Sequence, residues 1–400
     1  MWKNIDAAPA DAIFGLTEAF KNDPNPQKVN LGAGVYKDNN GLTPVLKSVK
    51  AAEQLLLEQE DSKSYLPISG SPVYAAGVQG LLFGSGHEVI KSARAATIHT
   101  PGGTGALRVG ADLIRRFNPQ ARIWLSSPTW ANHQGIFTAA GFALDHYPYY
   151  NAETMGLEFY KMLAALEKIP AGEVVLLHAC CHNPSGVDLD DQQWLAVIDT
   201  AKKQGWLPFL DFAYQGFARS VEQDAFAVQK FAEAGIDFLI ASSFSKNLGL
   251  YNERTGALTV VSPSRIEAET ALSHMKGTVR VNYSNPPAHG GLITASILTS
   301  GELKSQWLAE LDEMRSRIVE MRLALVDGLK ERGVDRDFSY IKQQRGMFSF
   351  SGLSDEIVQW LRDKRSIYVV KGGRINLAGL TSSNAGYVCD AIAEALQVCH

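Results

Sequence analysis

The stretch Phe238-Leu239-Ile240-Ala241-Ser242-Ser243-Phe244-Ser245-Lys246 combines a strand pattern with a polar ending that terminates in a lysine. Its first residues form an aliphatic and aromatic run that is typical of a buried strand. In an open parallel sheet, ligands bind beyond the carboxyl ends of the strands, so polar residues after such a run are candidate binding residues. The stretch therefore predicts a sheet strand and a site at its end.

Similar runs and helical patterns alternate with one another between about residues 95 and 260. The runs lie at 123–125, 174–178, 207–211 and 257–261, and the clearest helical patterns lie at 105–114 and 191–198. The helical patterns have apolar residues three and four positions apart, as amphipathic helices do. This alternation is typical of a mainly parallel sheet that is flanked by helices.

The remaining sequence predicts a second, smaller domain. A long helical pattern from about Glu302 to Leu329 could join two subdomains, and short apolar runs at 347–350 and 374–377 follow it. We therefore expect an α/β fold with two domains. The large domain, residues 46–313, would contain a mainly parallel sheet flanked by helices, and residues 1–45 and 314–400 would form a smaller α+β domain.

The composition indicates a globular protein that acts on small molecules. The 400 residues are 46% hydrophobic and 20% charged, the formal net charge is −4, and Lys and Arg are scattered. Such a chain has no electrostatic footprint for nucleic acid or an anionic membrane surface. It lacks a secretory signal and a membrane-spanning apolar run, and its four cysteines lack the spacing of a disulfide framework, so we expect a cytoplasmic location.

Five predicted strands end in segments that are rich in polar residues and glycine. These segments are 100–105, 126–130, 182–186, 211–214 and 242–246. The first places glycines directly before a helix, where backbone N–H groups and the helix dipole favour an anion such as phosphate. Taken alone, a glycine-rich turn at this place is more often a tight connection, and the segment is neither a Walker loop nor a GxGxxG fingerprint.

Lys246 and Asp211 are the candidate catalytic residues. Ser243 and Arg254 flank Lys246, and both side chains are suited to binding a phosphate. A nearby cation such as Arg254 also lowers the pKa of a lysine. A lysine tuned in this way forms Schiff bases, whereas an ordinary surface lysine does not need these neighbours. Asp211 ends a strand, so its carboxylate either pairs with a cation such as a pyridinium nitrogen or caps a helix.

The segment His178-Ala179-Cys180-Cys181-His182 invites interpretation as a metal site. Its spacing fits no common zinc pattern, and neighbouring residues of a strand point to opposite faces. We therefore expect no metal. A buried strand with a hydrogen-bonded histidine fits the pattern better, with Asn183 as the functional residue at its end.

Trp130, Arg374 and Arg280 have two interpretations each. Trp130 is either part of the core or a flat surface against an aromatic cofactor. The two arginines are either surface ion-pair residues or a pair of guanidinium groups that bind the two carboxylates of one substrate. Both arginines lie among small and polar residues and not in charge runs, which favours the second interpretation.

Five motifs together resemble the aspartate aminotransferases of the class I, fold-type I pyridoxal phosphate family, and the resemblance covers essentially the whole chain. They appear in the family's order and are highly specific. The motifs are Asn30-Leu31-Gly32-Ala33-Gly34-Val35-Tyr36-Lys37, His182-Asn183-Pro184-Ser185-Gly186, Asp211-Phe212-Ala213-Tyr214-Gln215-Gly216-Phe217, Ser243-Phe244-Ser245-Lys246-Asn247 with Tyr251-Asn252-Glu253-Arg254, and Asn282-Tyr283-Ser284-Asn285-Pro286-Pro287.

The resemblance implies pyridoxal 5'-phosphate as the cofactor and assigns residues to its ring. Lys246 would hold it as a Schiff base, and Asp211 would pair with the pyridine nitrogen. Tyr214 and Asn183 would hydrogen-bond the phenolic oxygen, and Trp130 would stack on the ring. Lys246, Asp211 and Tyr214 would thus be the catalytic residues.

The resemblance also implies a phosphate site and a homodimer with shared active sites. Gly103, Thr104, Ser243 and Arg254 would hold the phosphate of the cofactor. Tyr65 would reach that phosphate from a second subunit.

The substrate site implied by the resemblance contains two arginines. Arg374 would bind the α-carboxylate of the substrate, and Arg280 of the neighbouring subunit would bind the distal carboxylate. Gly34, Trp130 and Asn183 would complete this site. The implied reaction is a reversible ping-pong transfer of the amino group of L-aspartate to 2-oxoglutarate, which gives oxaloacetate and L-glutamate.

Other functions remain as alternatives. An aromatic-amino-acid aminotransferase resembles the same pattern; Ser64 departs from an expected asparagine, which leaves activity on phenylalanine or tyrosine open. The residues that favour the aspartate branch are Val35, Lys37, Thr43, Thr104 and Asn285. A non-catalytic binding protein of the same fold is disfavoured because the matching residues are all present, and a dinucleotide-dependent oxidoreductase is disfavoured because a GxGxxG motif is missing.

Overall fold

The computed structural model of the chain describes residues 2–6 and 12–399. Within these residues the helices are α1 (Ala12–Asn22), α2 (Lys47–Gln59), α3 (Pro72–Phe83), α4 (Glu88–Lys91), α5 (Gly102–Phe117), α6 (Ala131–Ala139), α7 (Phe159–Leu166), α8 (Asp191–Gln204), α9 (Val221–Asp224), α10 (Phe226–Ala234), α11 (Arg265–Asn282), α12 (Ala288–Thr299), α13 (Gly301–Glu331), α14 (Asp355–Arg365) and α15 (Ala385–Val398). The strands are β1 (Val29–Asn30), β2 (Ala95–Pro101), β3 (Arg122–Ser127), β4 (Ala143–Pro148), β5 (Tyr150–Asn151), β6 (Gly156–Leu157), β7 (Val174–His178), β8 (Leu207–Phe212), β9 (Phe238–Ser243), β10 (Thr255–Val261), β11 (Phe348–Phe350), β12 (Ile367–Tyr368) and β13 (Arg374–Asn376).

The chain forms two compact units. The larger unit contains residues 44–316 and 344–346, and the smaller unit contains the described residues up to Thr43, residues 317–343 and the described residues from Met347 onward. Helix α13 contributes its residues up to Ser316 to the larger unit and the rest to the smaller unit. The division into folding domains at residues 46 and 314 stays a prediction.

A seven-stranded sheet forms the centre of the larger unit. Its strand order is β2-β10-β9-β8-β7-β3-β4, and β10 pairs antiparallel with both of its neighbours while the other pairs are parallel. Six strands therefore share one direction, and the predicted mainly parallel sheet is confirmed. Strands β7 and β9 are buried along their whole length, as expected for strands that are covered on both faces.

The parallel strands carry five predicted polar segments to one edge of the sheet. Strands β2, β3, β7, β8 and β9 end there, because they run in the same direction. Strand β10 runs the other way and therefore begins at this edge.

Helix α5 packs against the sheet through an apolar face. Leu107, Val109, Leu113 and Ile114 of this helix are buried and belong to the same core cluster as Phe209 of β8. Full burial of each such side chain stabilises the fold by about 1.5–3 kcal/mol. This packing fixes the N-terminus of α5, which directly follows β2.

Local sequence signals determine where α8 begins and ends. The Asp190 side chain accepts a hydrogen bond from the Gln193 N–H, and the Gln193 side chain accepts one from the Asp190 N–H. This capping box satisfies N–H groups that the first turn leaves free. Gly205 ends the helix in the left-handed conformation at φ 75°, with Lys202 and Lys203 in the last turn, where their charges favour the helix dipole.

The smaller unit has two short sheets and several helices, as an α+β unit does. Strands β1 and β12 pair in parallel, and β11 pairs antiparallel with β13. Helices α14 and α15 belong to the same unit. No helix among the described residues combines the length and the apolar character that crossing a membrane requires.

His99 of β2 is a buried histidine whose two ring nitrogens have no hydrogen-bond partner among the described residues. Its ring lies 4.4 Å from the ring of Tyr74, centroid to centroid. Burial lowers the pKa of His99 to about 4, because the charged imidazolium cannot be hydrated there. The folded protein therefore accommodates the neutral imidazole.

We expect His99 to make the fold sensitive to acid. Its folded pKa of about 4 lies below the value of about 6.5 for an unfolded chain, so its stabilising contribution is complete above pH 6.5 and is lost as the pH falls toward 4. Between pH 8 and pH 5, His99→Leu should reduce the fall in the free energy of unfolding by about 2 kcal/mol, measured by denaturant titration. His146→Leu, at an exposed site, is the matched control. Equal falls for wild type and His99→Leu would contradict this account.

Candidate active site

The first turn of α5 forms a narrow cradle at the edge where the parallel strands end. A Cβ atom on Gly103 would lie 3.0 Å from the Cβ of Ser243, and one on Gly102 would lie 2.6 Å from Nη2 of Arg254. Gly102 also has a φ of +73°, which favours glycine. Ser243 and Arg254 therefore lie directly against the backbone of this turn.

The cradle offers hydrogen-bond donors to an anion. No side chain caps α5, so its first N–H groups, including that of Thr104, remain available. The Arg254 Nη1 group donates to Ser245 Oγ at 3.4 Å, and the buried Ser242 Oγ has no hydrogen-bond partner among the described residues. Backbone N–H groups, hydroxyls and a guanidinium are the donors that hold a phosphate. The predicted phosphate residues are therefore brought together, with the exception of Tyr65.

Lys246 follows β9 and carries its amine close to Tyr214. The Nζ atom lies 4.9 Å from the centroid of the Tyr214 ring. Burial lowers the pKa of Lys246, the Asp211 carboxylate opposes that change, and the Arg254 charge adds to it. A lowered pKa increases the fraction of neutral amine, which is the nucleophilic form.

Asp211 lies within β8 and bonds to a histidine and not to a helix N-terminus. Its Oδ2 atom lies 2.9 Å from His133 Nε2. Burial alone would raise the pKa of Asp211, but the hydrogen bond from His133 and the electrostatic effects of His133, His178 and Lys246 together outweigh burial, so the pKa is lowered. The carboxylate therefore stays charged in a largely buried place.

A one-way chain of hydrogen bonds fixes the tautomer of His133. The Asn183 N–H can only donate, so His178 accepts with Nδ1 at 3.0 Å and carries its proton on Nε2. His178 Nε2 then donates to Thr129 Oγ1 at 3.2 Å, and the Thr129 hydroxyl donates to His133 Nδ1 at 2.8 Å. His133 must therefore donate from Nε2 to Asp211.

The sequence predicted a buried strand with a hydrogen-bonded histidine in the segment 178–182, but it gave Thr129 no role of its own and His133 was missed. The available signal was the position of His133 in the first turn of α6, directly after a polar strand ending. Ligand atoms of His133, His178 and Asp211 lie within 4.8 Å of one another, a spacing that could hold a metal ion. Hydrogen bonds already occupy both ring nitrogens of each histidine.

Trp130 and Asn183 lie beside this histidine chain. The Trp130 ring packs edge to face against His133 with 5.2 Å between centroids. Asn183 is 7% exposed and joins the chain through its N–H. Two residues that sequence reasoning assigned to the cofactor ring are therefore positioned around Asp211.

Tyr65 and Arg280 are exposed among the described residues of their own chain. Tyr65 is 93% exposed. Arg280, at the end of α11, is also exposed and bonds through Nη1 to the hydroxyl of Ser284. Their predicted roles both require a second subunit.

The smaller unit holds Arg374 and Gly34 close to one aromatic ring. The Arg374 guanidinium lies 4.2 Å from the Phe348 ring centroid, and its Nη2 donates to Gly32 O at 2.8 Å. A Cβ on Gly34 would lie 3.3 Å from Phe348 Cζ. The Asn376 amide donates to backbone carbonyls of the same segment, so β13 fixes the segment that carries Gly34. Sequence reasoning did not single out Phe348 or Asn376 for this role.

Comparison with known families settles what kind of protein carries this arrangement. The family described as aminotransferase class I and II matches residues 26–392. The chain belongs to this family. Membership of the class I and II aminotransferases confirms the predicted resemblance, the fold class and the enzyme type. It also confirms the predicted cofactor, pyridoxal phosphate.

Individual relatives of this aminotransferase cover nearly its whole length. It is 50% identical to the aspartate aminotransferase of Salmonella typhi over 99% of this chain and 100% of the relative. It is 45% identical to the aromatic-amino-acid aminotransferase of Escherichia coli K12 over 98% and 99% of the two chains. A crystal structure of the aromatic-amino-acid aminotransferase of Burkholderia pseudomallei, covalently bound to pyridoxal phosphate, matches with a TM-score of 0.97 at 49% identity, covering 99% of both chains.

Gly256 of β10 allows the cradle of this aminotransferase to form. A Cβ at this position would lie 2.6 Å from the carbonyl oxygen of Gly102 and 2.7 Å from that of Ser242. Both are backbone atoms, which cannot rotate away as a flexible side chain can. Strand β10 can therefore approach the start of α5 only with glycine here.

We expect Gly256→Ala to lower the free energy of unfolding by about 1–3 kcal/mol, because overpacking forces the backbone of β10 or α5 to shift. Gly80→Ala is the matched control, since Gly80 lies in α3 and a Cβ added there would meet no atom within 4 Å. In a helix, alanine is favoured over glycine by about 0.5–1 kcal/mol. Denaturant titration of both variants checks this, and equal stability changes would contradict the packing argument.

Proposed function

We propose that the chain is an aspartate aminotransferase. It transfers the amino group of L-aspartate to 2-oxoglutarate and gives oxaloacetate and L-glutamate, reversibly and by a ping-pong sequence. The observation that carries the proposal is Lys246, an amine of lowered pKa beside Tyr214 and close enough to Asp211 to interact with its charge. The aspartate aminotransferase name of the 50% identical relative supports the choice of substrate.

The residues present fit pyridoxal phosphate at both of its charged ends. When bound, this group supplies a conjugated electron sink for the negative charge that develops at the substrate Cα. Asp211 would pair with the ring nitrogen, and His133 keeps one carboxylate oxygen of Asp211 in place. Gly103, Thr104 and the neighbouring donors of the cradle would hold the phosphate.

Three further side chains would orient the cofactor ring. Tyr214 and Asn183 would hydrogen-bond its phenolic oxygen, and Trp130 would lie against its face. Trp130 already packs on His133, which supports a place next to the ring nitrogen partner Asp211.

Lys246 would have two successive roles. Its Nζ would first attach the cofactor covalently, since a neutral amine attacks a carbonyl carbon. After the substrate amine replaces it, the released Nζ would act as a general base toward the proton on the substrate Cα. It would then act as a general acid that delivers this proton to the carbonyl-derived carbon of the cofactor, and not back to Cα. The lowered pKa of Lys246 suits both roles, because the neutral amine must be available at working pH.

Two arginines would select a substrate with two carboxylates. Arg374 would bind the α-carboxylate; its guanidinium is held by the Gly32 carbonyl and the Phe348 ring. Arg280 of a second subunit would bind the distal carboxylate. A homodimer with shared active sites is therefore part of the proposal, and the exposure of Tyr65 and Arg280 on the single chain supports it. Gly34 would line the substrate site beside Phe348.

Activity on aromatic amino acids is the second candidate. Ser64 is exposed and hydrogen-bonds Ser62, at a place where the aspartate branch is expected to carry asparagine. The 49% identity to a solved aromatic-amino-acid aminotransferase also favours it. We retain the prediction of a cytoplasmic location, which agrees with four cysteines that form no disulfide within the described residues.

We expect Lys246→Ala to lose the absorbance of covalently bound cofactor and to lower kcat by at least about 10²–10⁴-fold, the usual contribution of a general acid–base group. Lys203→Ala, an exposed lysine at the end of α8, is the matched control and should keep both properties. Borohydride reduction followed by peptide mass analysis locates the attached cofactor. Attachment at another lysine, or a Lys246→Ala variant with wild-type absorbance, would refute the assignment.

A further inference from the structure

We propose that Asp188 and Asp224 are positioning residues, which set the orientation of Asn183 and Tyr214 by holding the loops that carry them. The inference rests on the proposed function, in which those two side chains hydrogen-bond the phenolic oxygen of the cofactor. Neither aspartate needs to touch substrate or cofactor for this role. Each acts through backbone N–H groups.

Asp188 closes the loop that carries Asn183. Its Oδ2 accepts from the Cys181 N–H at 2.7 Å and its Oδ1 from the His182 N–H at 2.8 Å. These are the two residues immediately before Asn183, and Cys181 is held at φ +52°, a conformation that non-glycine residues rarely adopt. The carboxylate therefore fixes the direction in which the backbone enters Asn183.

Asp224 closes the loop that carries Tyr214 in the same way. Its Oδ2 accepts from the N–H groups of Gly216 at 2.8 Å and Ala218 at 3.0 Å, and its Oδ1 accepts from the Arg219 N–H at 2.9 Å. Asp224 is 3% exposed, so these three bonds are not exchanged with water. Phe217 N–H in turn donates to the Tyr214 carbonyl at 3.0 Å, which ties the loop to the tyrosine.

A carboxylate is needed at both positions because each loop presents only donors. An amide has one acceptor oxygen and one NH₂ group, and that NH₂ group would face a backbone N–H. Desolvation raises the pKa of both aspartates, and the backbone hydrogen bonds oppose the rise; Asp188 reaches about 6. The positive charge of an arginine also stabilises each carboxylate. This arginine is Arg345 for Asp188 and Arg219 for Asp224.

The two loops meet the catalytic groups already described. The Asn183 N–H begins the hydrogen-bond chain that ends at Asp211, and the Tyr214 ring lies 4.9 Å from Lys246 Nζ. A small rotation of either loop would therefore change the donors available to an oxygen beside the lysine. Such donors stabilise the ionised form of the cofactor's phenolic oxygen. They thereby lower the pKa of the nearby nitrogen through which the cofactor would be attached to Lys246.

The test is the pH midpoint of the absorbance of the cofactor attached to Lys246, measured in the holoenzyme together with the dissociation constant for pyridoxal phosphate. Asp188→Asn and Asp224→Asn should each raise the midpoint by about 0.5–1 unit, since part of one charge-assisted hydrogen bond is lost. Each should also weaken cofactor binding by about three- to tenfold. Asn183→Ala and Tyr214→Phe, which remove the donors themselves, should move the midpoint in the same direction.

Matched controls separate positioning from general loss of stability. Asp190→Asn replaces an exposed aspartate that caps α8, and Ser220→Ala replaces the hydroxyl that caps α9. Asp190→Asn should reduce stability without moving the midpoint, whereas Ser220→Ala weakens the helix that carries Asp224 and should give a small upward shift. Tyr149→Phe removes the hydrogen bond from the Tyr149 hydroxyl to Val187 O, next to Asp188, and keeps the ring that stacks on His182 at 4.0 Å. It should give a smaller upward shift.

The possible results decide between distinct conclusions. If Asn183→Ala and Tyr214→Phe move the midpoint but the aspartate variants fold and leave it unchanged, the positioning role is wrong and the proposed function stands. If the wild type shows no absorbance of an attached cofactor, the proposed function itself fails. If Asp188→Asn does not fold, Tyr149→Phe decides, and an unchanged midpoint in that variant overturns the role of Asp188. If Asp224→Asn does not fold, Ser220→Ala decides, because Ser220 caps the helix that carries Asp224, and an unchanged midpoint in that variant overturns the role of Asp224.

Discussion

The shared direction of six strands is the constraint on which the candidate site depends. Parallel strands place their carboxyl ends at one edge, so residues that are far apart in sequence become neighbours there. Strand β10 runs the other way and begins at the same edge, which brings Arg254 against Gly102. The cradle formed by the first turn of α5, Asp211 and Lys246 are positioned by this one arrangement.

The second constraint is that charged side chains must be stabilised where little water reaches them. Directed hydrogen bonds provide this stabilisation. Asp211 would be costly without a partner, and the chain from Asn183 through His178 supplies one in a fixed tautomer. Lys246 lies in the same region, and the opposing effects of Asp211 and Arg254 on its pKa reflect that. The same environment thus keeps an acid ionised and makes an amine more nucleophilic.

Sequence patterns predicted several strands correctly, because short apolar runs such as 174–178 that are bounded by turn residues are typical of buried strands. They left Asp211 open between a helix cap and a charge partner, because a single residue type serves both purposes. His133 was missed because its partner lies 78 residues away and histidine carries no local pattern. The backbone donors that Asp188 and Asp224 hold are set by loop conformation, which residue types alone do not specify. The roles of Tyr65 and Arg280 stay predictions, because both roles require a second subunit.

We propose that the enzyme accepts the amino group of aspartate on a cofactor attached to Lys246. The most direct measurement is the absorbance spectrum of the purified holoenzyme before and after addition of L-aspartate without a 2-oxo acid, repeated with L-phenylalanine. We expect aspartate to convert the attached cofactor to its aminated form at a much lower concentration than phenylalanine does. Equal conversion by phenylalanine would favour the aromatic alternative, and a holoenzyme that shows no conversion with aspartate would contradict the account.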